Sequence, residues 1–299
     1  MATVYTHKSE NIRKTWMLMA SFLIVIVGLG WFVSDYYQSP VILYVAVGFS
    51  LIMNVVSYWN SDKIIMKLSG ARELRKEEDL ELYRIVENLS ITSGLPIPKI
   101  YLIDDLAPNA FATGRDENHS AIAVTTGLRK MLDKSELEGV IAHELSHIGN
   151  RDTLIATVVV ILVGMVSLIA DFFLRSSHFG FGGGRNRDSG GGRLGAVIMI
   201  VGVIFVILSP IIATLIQLAI SRKREFLADA SAVLLTRYPE GLAGALKKIS
   251  GFGGAMQRVH PATAHLFIAS PFGSKTSGFS KFFMTHPPVE ERIGAIIGN

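Results

Sequence analysis

The sequence predicts a mostly α-helical membrane protein, with about four transmembrane helices and a cytoplasmic α+β domain that contains a small antiparallel sheet. Of its 299 residues, 49% are hydrophobic and only 18% are charged, which is too apolar for an ordinary soluble domain. Four long apolar runs are separated by polar stretches that carry helix and strand patterns. Cysteine is absent, so disulfides, thiolate metal ligands and a cysteine nucleophile are excluded.

The apolar runs predict the transmembrane helices. A bilayer core takes about 20 helical residues to cross, and the four runs contain 19, 19, 18 and 27 residues. They are Thr15–Val33, Val41–Trp59, Thr153–Ala170 and Leu194–Ile220. Aromatic residues stand near the ends of the first two runs, as in an interfacial belt. A cleaved signal peptide is the alternative for the first run, but that run is too long and no small-residue cleavage site follows it.

Basic residues predict the orientation of the first hairpin. Lys8, Arg13 and Lys14 precede the first run, whereas the link 34–40 contains neither Lys nor Arg. More basic residues follow the second run, between positions 60 and 76. The positive-inside rule therefore places both ends of the hairpin, and the polar domain after it, in the cytoplasm. The net charge of +4 fits this topology and gives no reason to expect a nucleic-acid partner.

We expect four segments: a transmembrane hairpin at 1–60, a polar domain in two parts at 61–152 and 221–299, and a second hydrophobic hairpin at 153–220 between them. The Gly-rich stretch 175–193 is expected to be a linker, since it lacks the context of a phosphate loop. Within the polar domain, the patterns predict helices at 76–94, from Lys134, at 221–237, 239–250 and 287–297, and strands at 98–105, 109–114 and 120–127. Ser135 is the expected N-cap of the helix from Lys134.

One of these helices carries the motif H-E-x-x-H, as His143, Glu144 and His147. Positions i and i+4 share a helix face, so both imidazoles can bind one metal ion while Glu144 reaches its open side. This arrangement provides two zinc ligands and a general base for water activated by the metal. The motif alone is weak evidence for a metal site, and the alternative is a solvent-exposed helix face with two histidines that bind no metal.

A catalytic zinc ion usually has a third protein ligand. The class of zincins with a third histidine six residues after the second is excluded, because Thr153 stands there. The downstream candidates are His178, Glu225, Asp229, Glu240, His260, His265 and His286. Glu225 is favoured, because Asp229 lies one turn later on the same face and can hydrogen-bond a ligand imidazole. The alternative is an exposed acidic pair beside neighbouring basic residues.

The stretches "HELSHIGNRD", "SRKREFLADASA" and "THPPVEERI", with a hydrophobic pair after the first, resemble in order and spacing the HtpX membrane zinc endopeptidases, relatives of the CAAX prenyl endopeptidases. The resemblance implies a zincin-like (gluzincin) catalytic domain on the cytoplasmic side of the cell inner membrane, with both termini cytoplasmic. It implies one zinc ion on His143, His147 and Glu225, with Glu144 as the base. It also implies protein or peptide substrates, above all misfolded or damaged membrane proteins, and a role in stress response.

Two further expectations come from the same resemblance. Asn109, Ala110 and Phe111 are expected to form an edge strand that pairs with an extended substrate; an ordinary internal strand is the alternative. His286 and Arg292 are expected to donate hydrogen bonds to the substrate carbonyl or the oxyanion; the alternative is that they mark only the entry of the last helix.

The position of the second hydrophobic hairpin stays open. His143 and Glu225 can share one ion only if the chain between them crosses the bilayer an even number of times. Two crossings, or a hairpin that is partly immersed or shielded inside the protein, both satisfy this condition. An intramembrane protease is disfavoured by the polar residues around the motif, and a scaffold or transporter with incidental histidines is the non-enzyme alternative. The metal beyond this ligand set and the oligomeric state are left open.

Overall fold

A computed structural model describes residues 4–179, 221–257, 259–273 and 287–298. The chain begins with a hairpin of two helices, α1 (Val4–Tyr37) and α2 (Pro40–Trp59). Within the described residues, α1 and α2 are the two helices that are each long and apolar enough to cross a membrane, with mean hydropathies of 2.3 and 2.0. The transmembrane hairpin predicted from the first two runs is therefore supported by length and composition.

The two hairpin helices approach each other closely at Gly30. A Cβ atom added there would lie 2.3 Å from the Cβ of Ala46, so only glycine permits this packing between membrane helices. The outward faces of the hairpin carry exposed apolar side chains such as Ile24 and Tyr44, each 70% exposed, as expected of a surface that meets lipid. The helix α1 also begins well before its apolar run, and its first turns lie against the polar domain.

After the hairpin come α3 (Ser61–Leu68), β1 (Arg72–Glu73), α4 (Leu80–Ser93), β2 (Lys99–Ile103), β3 (Ala110–Asp116) and β4 (His119–Thr125). The strand order is β1-β2-β4-β3, and β3 is an edge strand. The sheet is mixed and not antiparallel as expected, because β2 and β4 run parallel. The reason is that β3 and β4 form a hairpin while the connection 104–109 carries the chain across to the far side of β4.

The two faces of the sheet lie against different cores. Alternate side chains of a strand point to opposite faces. Ala110 and Ala112 accordingly join a cluster with α4 and α6, whereas Phe111 joins one with α1 and the helix that follows α6. The sheet therefore separates a core on the side of the hairpin from a core inside the polar domain.

The remaining described helices are α5 (Thr126–Met131), α6 (Lys134–Gly149), α7 (Asp152–Phe179), α8 (Arg222–Thr236), α9 (Pro239–Gly251), a 3-10 helix (Pro261–Leu266) and α10 (Val289–Ile297). The N-cap of α6 is Asp133 and not Ser135 as expected. The Asp133 side chain accepts from the backbone N–H of Glu136, whose carboxylate accepts in return from the backbone N–H of Asp133. A capping box satisfies two terminal donors at once, and here it forms two residues before Ser135, between Asp133 and Glu136.

The chain turns by 80° between α6 and α7. Arg151 takes a left-handed conformation in this turn, with φ at 60°. The following stretch is the third apolar run, for which either a full crossing or shielding inside the protein was left open. It is enclosed by protein for its first three turns: Ile155, Val158 and Leu162 are fully buried. Lys134–Gly149 and Asp152–Gly164 together, as this bent pair, are long and apolar enough for a span. The fourth run, Leu194–Ile220, and most of the Gly-rich linker lie outside the described residues.

Candidate metal centre

Three side chains from α6 and α8 converge at one point. The Nε2 atoms of His143 and His147 are 3.1 Å apart. The Glu225 carboxylate lies 3.6 Å from the Nε2 of His147 and 3.8 Å from that of His143. In a tetrahedral site with metal–nitrogen bonds of about 2.0–2.1 Å, neighbouring ligand atoms are about 3.3 Å apart. The donor set therefore fits one divalent ion with only small adjustments.

The imidazole of His143 is oriented by a hydrogen bond on the side away from the converging atoms. Its Nδ1 donates to Oδ1 of Asp229 at 2.9 Å, so its Nε2 lone pair faces Glu225. His143 and Asp229 are both 1% exposed, which rules out the alternative of an exposed acidic pair. Burial lowers the pKa of His143 to about 4 despite the hydrogen bond to Asp229, so this imidazole is neutral and ready to bind a metal at physiological pH.

Asp229 is itself held by Arg292, which is 1% exposed. The Arg292 Nε and Nη2 donate to the two carboxylate oxygens at 2.9 and 2.7 Å. Burial alone would raise the pKa of Asp229, but its hydrogen bonds with Arg292 and His143 lower it. The sequence predicted that Arg292 contacts substrate. In the structure its Nε and Nη2 are bonded to Asp229, and its Nη1 lies 3.8 Å from the Glu225 carboxylate. Contact between Arg292 and substrate stays a prediction.

The imidazole of His147 has a partner that sequence reasoning missed. Its Nδ1 donates to Oδ2 of Asp152 at 2.9 Å. Burial would lower the pKa of His147, but this hydrogen bond and the charges of Glu225, Asp152 and Glu144 raise it to about 9. Asp152 follows His147 by five residues, and two residues at this spacing do not lie on the same face of a continuous helix. Only the sharp turn before α7 brings its carboxylate back.

A pocket opens onto the three converging side chains. Glu144 lies in its wall together with Ala112, Thr153, Ala156 and His265. Glu144 thus lines the same pocket as the three converging side chains, and its role as general base stays a prediction. His265, which the sequence gave no role, also lies in this wall and is 7% exposed. The predicted donor His286 lies outside the described residues.

The predicted substrate strand is at the sheet edge, but part of that edge is already covered. The backbone oxygen of Ala110 accepts from the N–H of Ile268 at 2.9 Å. The side chain of Asn109 bonds the backbone of Ala269, and Phe111 is fully buried against Phe267, with ring centroids 5.0 Å apart. The chain's own segment 267–269 therefore occupies these three positions, which corrects their expected role as the free substrate edge.

Ala112 is the next residue whose backbone turns to the outer edge. Backbone groups alternate sides along a strand. Asn109 bonds Thr125 of β4, while Ala110 and Gly114 bond groups on the outer side. Ala112 shares the outer side with those two and lies in the pocket wall. Its N–H and C=O thus face the pocket beside the metal ligands.

The fold and site define a membrane-bound metallopeptidase of the zincin class: a helix with H-E-x-x-H, a later helix with a third ligand, and an edge strand along the pocket. The fold resembles the crystal structure of S. mikatae Ste24p, with a TM-score of 0.51 at 20% identity over 95% of this chain and 66% of that chain.

The sequence comparisons then identify the family. Residues 76–298 match the model of Peptidase family M48. A "Protease HtpX homolog" of Caldanaerobacter subterraneus is 43% identical over 97% of this chain and 96% of its own length. Another of that name, from Dictyoglomus thermophilum, is 44% identical over 97% and 93%. The chain belongs to Peptidase family M48, which confirms the resemblance stated from the sequence and makes it a metalloendopeptidase.

Proposed function

We propose that this protein hydrolyses peptide bonds of membrane proteins at the cytoplasmic face of the inner membrane, with one zinc ion on His143, His147 and Glu225 and with Glu144 as the general base. The observation that carries the proposal is the convergence of three ligand atoms within 4.8 Å of one another in a pocket that Glu144 also lines.

A zinc ion at this site would polarise the scissile carbonyl and lower the pKa of water. The Glu144 carboxylate accepts the proton that the attacking water loses and delivers it to the departing amine. The carboxylates of Asp229 and Asp152 accept from the two Nδ1 atoms, which leaves the Nε2 atom of each imidazole for the metal. Both imidazoles are therefore oriented before substrate enters.

Substrate recognition uses the backbone of Ala112. An extended peptide beside β3 adds a strand to the sheet and pairs with the N–H and C=O of this residue. Such pairing depends on main-chain groups and tolerates many side chains. This tolerance suits an enzyme whose clients are misfolded or damaged proteins of varied sequence, and it supports a role in quality control under stress.

Contacts between the hairpin and the domain support a site close to the membrane surface. Lys8 of α1 forms an ion pair with Glu117 at 2.5 Å, and Arg115 donates to the backbone oxygen of Trp59 at 2.9 Å. Both contacts lie at the end of the hairpin that basic residues assign to the cytoplasm. The pocket is thereby tethered where loops and ends of other membrane proteins emerge.

Three variants test the proposal in the purified full-length protein. Glu144→Gln should retain zinc and lose cleavage of an unfolded substrate, whereas Glu225→Ala should lose both. Glu138→Gln is the matched control, because this residue lies on the same helix and, within the described residues, pairs with Lys134 alone, at 3.8 Å. Unchanged cleavage by Glu144→Gln would refute the proposed peptidase mechanism and favour a scaffold without catalytic activity.

A second experiment tests the class of substrate. A photo-crosslinking residue at Leu266, in the pocket wall, should capture membrane proteins in cells when combined with Glu144→Gln. Capture of soluble proteins alone would refute the membrane-client part of the proposal and leave the catalytic part standing.

A further inference from the structure

A buried polar side chain on the first membrane helix reaches the candidate metal centre. Asn11 lies on α1, four residues before the apolar run, and is 3% exposed. Its Nδ2 donates to Oδ1 of Asp152 at 2.8 Å and to the backbone oxygen of Asn150 at 2.9 Å. The other carboxylate oxygen of Asp152, Oδ2, accepts a hydrogen bond from the Nδ1 of His147. A continuous chain of hydrogen bonds therefore joins the membrane helix to a metal ligand.

We propose that Asn11 is a positioning residue for His147, acting through Asp152, so that the first transmembrane helix completes the metal centre as well as anchoring the protein. This inference rests on the proposed role of His147 as a metal ligand. According to this inference, the hairpin helps to orient a metal ligand in addition to holding the protein in the membrane.

The burial of Asn11 gives the first argument. A carboxamide removed from water costs free energy unless its groups are hydrogen-bonded. Both donors of Asn11 are used, one on each side of the turn between α6 and α7. An apolar residue would fit a helix packed against α7 equally well, so the contacts point to a specific requirement for the amide.

The geometry of the turn gives the second argument. Asp152 can reach His147 only because the chain bends by 80° between the two helices. Asn11 bonds the backbone of Asn150 before the bend and the side chain of Asp152 after it. It thereby fixes both the bend and the rotamer of the carboxylate. Arg224 Nε lies 3.5 Å from the same carboxylate oxygen, a longer contact that does not bridge the turn.

The choice of control follows from the same helix. Thr15 lies one turn after Asn11, is 1% exposed, and its hydroxyl donates to the backbone oxygen of Asn11 at 2.9 Å. Thr15→Val removes a buried polar group from the same helix without touching Asp152. It therefore reports the effect of altered packing alone.

The test measures zinc affinity by competition with a chelating indicator, using the full chain in detergent. Asn11→Leu should weaken zinc binding by about tenfold, the lower end of the range for loss of a group that orients a metal ligand. The affinity of Thr15→Val should stay within about twofold of the wild type. Asn11→Ser, which is too short to bridge the turn, gives a second measurement if the leucine variant folds poorly. Cleavage kinetics should show a lower kcat with KM nearly unchanged.

A double mutant separates positioning from mere packing. In an Asp152→Ala background, Asn11→Leu should have little further effect on zinc affinity, because the link to His147 is already broken. Equal losses in both backgrounds, or wild-type affinity in both Asn11 variants, would overturn the inference. If the wild type itself binds no zinc, or His143→Ala binds it as well as the wild type, the proposed function fails instead.

Discussion

The Nδ1 of His143 donates to Oδ1 of Asp229 at 2.9 Å, and this contact joins the helix of the H-E-x-x-H motif to the helix that carries Glu225. Asp229 lies one turn after Glu225 in α8, so a single helix supplies both the third ligand and the partner of the first. The contact fixes the orientation of α8 about its axis. It thereby fixes where the Glu225 carboxylate lies.

Asp229→Asn should weaken zinc binding by about 10- to 100-fold. The amide is a poorer acceptor for the His143 Nδ1 proton and leaves the buried Arg292 without its ionised partner. Equilibrium dialysis against zinc, with a thermal melt of the metal-free protein beside it, measures the two effects separately. Wild-type zinc affinity in this variant would contradict the orienting role of Asp229.

Zinc binding should depend on pH through His147. The pKa of this imidazole is raised to about 9 in the metal-free protein, so below that pH the metal must displace a proton from it. His143 has a pKa of about 4 and is already neutral. The apparent affinity should therefore rise by about tenfold per pH unit from neutral pH towards 9 and then level off.

Calorimetry in buffers of different ionisation enthalpy checks this linkage. We expect about one proton to be released per zinc ion bound near neutral pH. Asp152→Asn removes the negative charge that helps to raise the pKa of His147 and leaves a weaker acceptor for its Nδ1, so its proton release should be smaller. A pH-independent affinity in the wild type would exclude a protonated His147.

Ala112→Pro should lower kcat/KM by roughly three- to tenfold, the worth of one backbone hydrogen bond. Proline removes the N–H that faces the pocket and breaks no ladder bond, since edge strands tolerate proline on the outer side. Thr113→Pro is the control, because the backbone of that residue faces β4 and its loss should lower the melting temperature. Unchanged kcat/KM in a folded Ala112→Pro variant would argue against strand addition.

Gly139→Ala should destabilise the protein by about 1–3 kcal/mol, the usual cost of overpacking. A Cβ atom at Gly139 would lie 2.7 Å from the backbone N of Leu242 and push α9 away from α6. Gly149→Ala adds the same methyl group at an ordinary 3.6 Å from Leu95 and should not destabilise. Chemical denaturation of both variants measures the difference.

Local patterns predicted much of the structure. The apolar runs predicted α1 and α2, and the spacing of His143 and His147 predicted two imidazoles on one helix face. The acidic pair Glu225 and Asp229 was expected on one face of a later helix for the same reason. These predictions depend on residues close in sequence, where helix periodicity alone decides which side chains are neighbours.

Other features depended on contacts between distant segments. The parallel pairing of β2 with β4, the burial of the first turns of α7, and the coverage of Asn109–Phe111 by residues 267–269 follow from packing between segments far apart in the chain. The bond from Arg292 to Asp229 also joins distant segments. No pattern in the sequence indicated it, because an arginine is expected to be buried only where it has an acidic partner.

The sequence thus contains the chemistry of the site: two imidazoles and two carboxylates at helical spacings, beside an apolar hairpin. The links from Asn11 through Asp152 to His147 arise only in the folded chain. Hydrogen bonds of this kind join groups that no periodicity relates, and whether a polar group is buried is set by the elements that happen to cover it.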